Sequence, residues 1–271
     1  MIINEYITNT HDLIIFFYII YYNYHLLLYM SYILGKSDFF INLLEKLYGD
    51  DILIQNLNEI KKRMRIVHSY TIPQFDDIEA EIVCLILMYL NPKKIYEFSP
   101  CGGWSTLYML NTLDVINNIE GNVHSFDIID NCSSNINKFN NLVNRWKFYL
   151  GNVEDKYIHF DEDIDYLFID SDHSSGFTRK YIDELLNPLL VKLKNINKQI
   201  FVSVHDVFHT NVPSDEGRLV IEFLEKNNIE YFFPLNDFQR NDIERFRNNS
   251  NLDKDSVHYA KTNPCIFFVL G

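Results

Sequence analysis

The sequence predicts an α/β fold, a doubly wound sheet of seven strands preceded by an N-terminal helical extension. Three observations lead there. From Lys93 onward, short apolar runs alternate with segments of helical periodicity, the rhythm of strand–helix units. The run IDYLFID (164–170) is apolar enough to be covered on both faces, as strands of a parallel sheet are. Hydrophobic residues make up 47% of the 271 positions and charged residues 23%, a balance that supports a large core and excludes a disordered chain.

The elements follow in order. Residues 13–34 form a 22-residue run without a formal charge, long enough to cross a bilayer as a helix. Asn23, His25, Ser31 and several tyrosines interrupt it, so two readings stand: a membrane segment, or a buried or dimer-forming helix. Phe39, Phe40, Leu43, Leu44 and Leu47 recur at helical spacing, and Gly49-Asp50 breaks that pattern within a helical region spanning 38–66. Asp76-Asp77 starts a further helix that ends at Asn91-Pro92. The predicted strands are 93–98, 122–128, 146–150, 164–170, 199–204, 230–233 and 265–270. Helices are expected at 104–117, through Asn144, at 177–193 and at 215–226. A polar insertion, 235–264, separates the last two strands and is too long for a hairpin; segments of that kind serve as lids or stay disordered.

Charge and cysteine content narrow the function. With 37 acidic and 24 basic side chains the formal charge is −13, which repels phosphate backbones and argues against nucleic acid as a partner. The densest basic run, Lys61-Lys62-Arg63-Met64-Arg65, is too short to track a duplex. Cys84, Cys101, Cys132 and Cys265 lie far apart, so neither a zinc site nor a disulfide framework is indicated. That spacing suits a reducing, cytoplasmic compartment, with membrane association through 13–34 as the alternative. A homo-oligomer is compatible with the sequence.

In open α/β sheets ligands bind beyond the carboxyl ends of the strands. The predicted strand ends carry Glu97 and EFSPCGGWST (97–106), then Asp127, Gly151-Asn152, Asp170-Ser171-Asp172-His173, and His205-Asp206. Acidic groups thus converge on one rim. The first loop lacks both G-x-G-x-x-G and the P-loop pattern, which disfavours phosphate binding and nicotinamide redox chemistry. Glu97 can pair with a cationic group and Asp127 can hold ribose hydroxyls; each can equally cap a strand end.

These residues carry a resemblance. EFSPCGGWST followed by Asp127 resembles motif I and the acidic loop of class I S-adenosylmethionine-dependent methyltransferases, which have a Rossmann-like fold. IDYLFIDSDHSSGF and IFVSVHDVF are similar to the metal-dependent small-molecule and sugar O-methyltransferases, those acting on catechols, caffeoyl-CoA and macrolide sugars. The resemblance spans about residues 68–233 and the last strand. It departs from the family at Ser99, where the first glycine is usual, at Asn152, where aspartate is usual, and at His205, where the metal pair normally begins with aspartate.

The resemblance implies an N-terminal extension over 1–66 and a methyltransferase domain over 67–271, within which the length of 235–264 suggests a substrate lid. Glu97, Ser99, Gly102 and Gly103 would lie near the methionine part of the cofactor, Asp127 on its ribose and Asn152 on its adenine. Ser105 and Thr106, at a helix start, would meet its carboxylate through exposed amides. Asp170 and Asp206 would ligate a divalent metal, with His205 as third ligand or neighbour. An oxygen-rich donor set suits Mg²⁺ or Mn²⁺. His173 is the candidate general base, its DSDHSSG context being otherwise an ordinary helix-capping turn. The implied activity is methyl transfer from S-adenosylmethionine to a hydroxyl of a small molecule or sugar. Two alternatives are a metal-independent methyltransferase acting on a larger acceptor and a non-catalytic cofactor-binding or membrane-anchored partner protein.

Overall fold

A computed structural model describes residues 37–271, apart from 75, 161–162, 210–211, 235–236 and 259–263. The apolar run at 13–34 lies outside the described residues. Among the described residues no helix is long and apolar enough to cross a membrane.

Three helices lead into the sheet: α1 (Asp38–Tyr48), α2 (Asp51–Val67) and α3 (Asp77–Leu90). Each starts on a side-chain cap, Ser37, Asp50 and Asp76, whose oxygens accept from first-turn amides that otherwise have no partner. In α3 the cap is reciprocal, since Glu79 reaches back to the Asp76 amide. Asn91 ends α3 in the left-handed conformation, just before Pro92. From Ser37 onward the chain is one compact unit. Phe40, Leu44, Leu57, Ile60 and Met64 are buried in the same core as Leu107 and Phe168, so α1 and α2 share the core of the sheet.

Alternation then begins with β1 (Lys94–Phe98), α4 (Trp104–Val115) and β2 (Asn122–Asp127). The polar stretch expected as one helix through Asn144 forms two single turns, α5 (Ser133–Ile136) and α6 (Asn140–Val143), before β3 (Trp146–Leu150). A 3-10 turn (Val153–His159) leads to β4 (Tyr166–Ile169). The long helix that follows has three parts: α7 (Ser175–Lys180), a wider π turn (Tyr181–Leu186) and α8 (Asn187–Ile196). Pro188 explains the widening, because it offers no amide and its ring crowds the carbonyl of the preceding turn.

The chain continues through β5 (Ile200–Val204), a small hairpin of β6 (Phe208–His209) and β7 (Val212–Pro213), α9 (Asp215–Lys226), β8 (Tyr231–Phe232), α10 (Asp237–Asn249) and β9 (Ile266–Leu270). The hairpin was not anticipated, its two-residue strands being too short to leave a pattern. The main sheet has seven strands in the order β3-β2-β1-β4-β5-β9-β8. The pairs β3-β2-β1-β4-β5 are parallel, while β9 runs antiparallel to both β5 and β8. Every residue of β4 and β5 is buried, as strands covered on both faces must be.

The 235–264 insertion, expected as a lid or a disordered segment, has structure of its own among the described residues. It contains α10, whose Ile243 and Phe246 are buried in the core beside Tyr48 of α1. Its far end is tied to α3, where the Asp77 carboxylate accepts from the amides of Val257 and His258. The arginines of this segment make ion pairs: Arg240 with Asp76, Arg245 with Asp242, and Arg247 with Glu81 and Glu244.

Glu81 unites four helices. Its carboxylate accepts from Lys61 at 2.8 Å, from Arg247 at 2.8 and 3.1 Å, and from the Tyr48 hydroxyl at 3.2 Å. Lys61 is 1% exposed, so Glu81 is its partner inside the core and not at the surface. Glu81→Ala should therefore destabilise the fold by about 3–5 kcal/mol, the range for removing one member of a buried pair. Urea unfolding measures it, and a loss below about 1 kcal/mol, as for surface pairs, would contradict this account of the helix junction.

Candidate active site

The strand order reverses between β1 and β4: from β1 the chain builds outward through β2 and β3, and from β4 through β5. At such a point the two connecting segments leave in opposite directions and open a crevice at the carboxyl edge. Its rim is fixed by ladder bonds that continue past the strands. Ser99 N donates to Phe126 O (2.8 Å), Gly151 N to Asp127 O (2.8 Å), Asp170 N to Phe98 O (3.3 Å) and His205 N to Ile169 O (2.8 Å).

Two cavities of about 380 and 330 Å³ occupy this crevice and share Ser99, Asp127 and Ser171 as lining. One extends over Gly151, Asn152 and Phe177; the other over Cys101, Asp170, His173, His205, Asp206 and Gln74. Ser99, Asp127, Asn152, Asp170, His173, His205 and Asp206 thus meet in one continuous cleft. Its acidic groups favour cationic ligands.

In the first cavity Asp127 is half-buried and accepts from the Ile129 amide at 3.2 Å. Gly151 has φ +127°, a conformation that side chains resist, so glycine is needed there. The Asn152 side chain caps the 3-10 turn by accepting from Glu154 N at 3.1 Å. Its carbonyl is therefore engaged locally although the residue borders the cleft.

In motif I the polar side chains bind one another. Glu97 is fully buried and faces away from the cleft, accepting from Ser105 Oγ (2.5 Å), Thr106 Oγ1 (2.7 Å) and Ser125 Oγ (2.5 Å). Burial raises its pKa, and the three hydroxyl donors act against that rise. Glu97 thus pins α4 to β1 and β2 through the Ser105, Thr106 and Ser125 hydroxyls, while the expectation for Ser105 and Thr106 concerned their amides. Neither glycine borders the cavities. Gly102 offers its carbonyl to Thr71 Oγ1 (2.9 Å) and Asn135 Nδ2 (3.0 Å), and an added Cβ would meet Thr71 Oγ1 at 2.8 Å. Gly103, at φ +87°, begins α4. Trp104 is fully buried, edge-on to Tyr108 and His68.

In the second cavity, ligand atoms of Asp170, His205 and Asp206 lie within 4.8 Å of one another. His205 Nδ1 is 3.3 Å from Asp170 Oδ1 and 3.2 Å from Asp206 Oδ1, while Nε2 is 3.8 Å from Glu79 Oε2. Burial alone would lower the His205 pKa, but the carboxylates of Asp170, Glu79 and Asp206 push it up to about 10. Burial likewise raises Glu79, up to about 8, against the pull of His205. Three carboxylates thus surround one imidazole and favour its protonated form, whose proton a cation bound at Asp170 and Asp206 would displace. Two carboxylates and one imidazole form a donor set that fits Mg²⁺ or Mn²⁺.

His173 Nε2 faces the same carboxylates, 3.9 Å from Asp170 Oδ1 and 3.7 Å from Asp206 Oδ2. Its Nδ1 lies 2.6 Å from Glu216 Oε2. That hydrogen bond raises the His173 pKa and burial opposes it. Asp172 shapes the turn, accepting from the amide and hydroxyl of Ser174, which in turn caps α7.

Sequence reasoning missed Glu216, Gln74, Ser171 and Cys101. Glu216 reads as an acidic first-turn residue behind the Ser214 cap, and nothing in the pattern links it to His173. Gln74 comes from the connector between α2 and α3, which carries no motif. Cys101 lies inside the motif and its thiol is exposed.

Residues 100–207 match the model of a family described as a methyltransferase domain. No curated protein matches the sequence. Among solved structures, the cofactor-bound Rv0187 from MTB aligns at 11% identity over 82% of this chain and 91% of that one, with a TM-score of 0.50. An O-methyltransferase from Bacillus cereus in complex with SAH aligns at 14% identity over 80% and 91%, with a TM-score of 0.51. At such identities the likeness is one of fold: a Rossmann-like seven-stranded sheet with flanking helices. The part of the chain that matches the methyltransferase-domain model, 100–207, runs from the loop after β1 through β5 and so contains most of the cleft.

Three non-glycine residues on this rim adopt left-handed backbone: Ser99 (φ +56°), Cys101 (φ +45°) and Asp206 (φ +57°). Such conformations are costly and persist where surroundings impose them. Ser99→Gly should raise stability by up to about 1 kcal/mol, the relieved strain being partly offset by a freer unfolded chain. A thermal melt of the variant checks this; a lower midpoint would mean that the Ser99 side chain stabilises the turn.

Proposed function

We propose that the chain methylates a hydroxyl group of a small molecule or sugar, using S-adenosylmethionine as donor and a divalent cation as aid. The observation that carries this reading is the cleft at the β1/β4 reversal, with Asp127 lining both cavities and Asp170, His205, Asp206 and His173 lining one of them.

The residues assign themselves to the two ligands by chemistry. Asp127 would accept from vicinal ribose hydroxyls, and the Gly151–Asn152 edge with Phe177 would flank the adenine. Ser99 and Cys101, where backbone strain brings the chain against the cleft, would flank the methionine part. S-adenosylmethionine, when bound, supplies a methyl group on a sulfonium, whose C–S bond breaks as the acceptor's O–C bond forms. Asp170, Asp206 and His205 would hold Mg²⁺ or Mn²⁺, which lowers the pKa of an oxygen bound to it. His173 would take the hydroxyl proton on Nε2, the nitrogen that faces the cation pocket. A hydroxyl acceptor fits better than an amine because an alcohol needs both proton removal and charge stabilisation, and the cleft offers groups for both. The acidic lining suits the positive sulfonium.

Calorimetric titration with S-adenosylhomocysteine, with and without Mn²⁺, tests this. Binding should weaken about 10- to 100-fold in Asp127→Ala, as expected for losing hydrogen bonds to a charged group. In Asp170→Asn nucleoside binding should persist while Mn²⁺ binding is lost. Absence of nucleoside binding in the native protein would overturn the methyl-transfer reading. Nucleoside binding with unchanged Mn²⁺ affinity in Asp170→Asn would point to the metal-independent alternative.

A further inference from the structure

His173 does not stand alone in the cleft. Glu216, at the second position of α9, is 1% exposed, and both of its oxygens are engaged. Oε2 meets His173 Nδ1 at 2.6 Å, and Oε1 accepts from the Tyr181 hydroxyl at 2.8 Å. Tyr181 is itself fully buried in the π turn between α7 and α8. The partners are 43 and 35 residues from Glu216 in sequence, so three separate elements converge on one carboxylate. Burying a carboxylate is costly unless its oxygens are satisfied, and here both are, with the amino end of α9 adding a favourable dipole.

We propose that Glu216 is a positioning residue for His173, holding the imidazole in the tautomer that keeps its proton on Nδ1 and its lone pair on Nε2. This rests on the reading of His173 as the base. An ionised carboxylate can only accept, so the nitrogen facing it must donate. A neutral ring then has Nε2 as its only acceptor, and Nε2 faces Asp170 and Asp206. In the reaction, the acceptor's O–H bond breaks and an Nε2–H bond forms. The resulting imidazolium keeps its Nδ1–H bond to Glu216, whose negative charge balances it. The opposite tautomer would present an N–H to the acceptor and take no proton.

The Tyr181 contact makes the test directional. In Glu216→Gln the Tyr181 hydroxyl needs an acceptor and selects the amide oxygen. The amide NH₂ is then turned toward Nδ1, which must accept, and the ring proton moves to Nε2. Adding Tyr181→Phe frees the amide to rotate and should give a mixture of tautomers.

The readout is the ¹⁵N spectrum of histidine-labelled protein, at a pH where the ring is neutral, with the His173 signals assigned by their loss in His173→Gln. The expected result is a proton on Nδ1 in the native protein, on Nε2 in Glu216→Gln and on both in the double variant. A native ring protonated on Nε2 overturns the proposal, whether or not any variant folds. So does a folded Glu216→Gln variant with the proton still wholly on Nδ1. A purely structural Glu216 would shift the melting temperature without moving the proton. The spectrum needs neither cofactor nor acceptor, so a failed nucleoside titration counts against the cleft reading, and a wrong tautomer against Glu216.

Discussion

The site depends on the reversal of strand order between β1 and β4. Because β2 and β3 are added on one side of β1 and β5 on the other side of β4, the connections on the two sides part at the carboxyl edge. Ladder bonds extending past Phe98, Asp127, Ile169 and Val204 hold the departing chain in place. The acidic and imidazole groups are therefore presented from rigid backbone, and their spacing is set by the distance between strands instead of by loop conformation. Helices α1–α3 and α10 contribute from behind. Glu79 approaches His205, and the Glu81 cluster locks the helices that carry these contacts.

Backbone strain and side-chain burial share the work of shaping the cleft. Ser99, Cys101 and Asp206 turn the chain sharply where it leaves β1 and β5, bringing backbone close to the cavity. Glu97 lies behind this turn and draws hydroxyls from α4 and β2 onto one carboxylate. The motif that resembles a ligand-binding loop is thus partly a structural fastener. Its glycines serve the approach of Thr71 and the start of α4 instead of facing the cavity.

Much of the arrangement was legible in the sequence because strand ends advertise themselves. Asp127, Asp170 and Asp206 each follow an apolar run, and the sheet then brings them to one edge whatever the helices do. Glu97 was harder to place because the twofold alternation of a strand sends it under α4, where Ser105 and Thr106 wait eight and nine residues later. Glu216 could not be found, since it reaches His173 through the packing of α9, and Gln74 lies in a connector without a motif; no local spacing records either approach. The helix inside 235–264 was hidden by its composition: Ile243 and Phe246 are buried, while ten of its thirteen residues are polar or charged.

The place of β9 bears on how the protein is made. It lies between β5 and β8, pairing with both, yet it is the last strand of the sheet to leave the ribosome. Until then β5, buried throughout in the finished fold, is an apolar sheet edge with open hydrogen-bonding groups. The nascent chain thus carries the parallel half of its sheet, cleft included, beside a surface prone to pair with other strands. Insertion of β9 between two waiting strands makes completion of the sheet a late and non-local event.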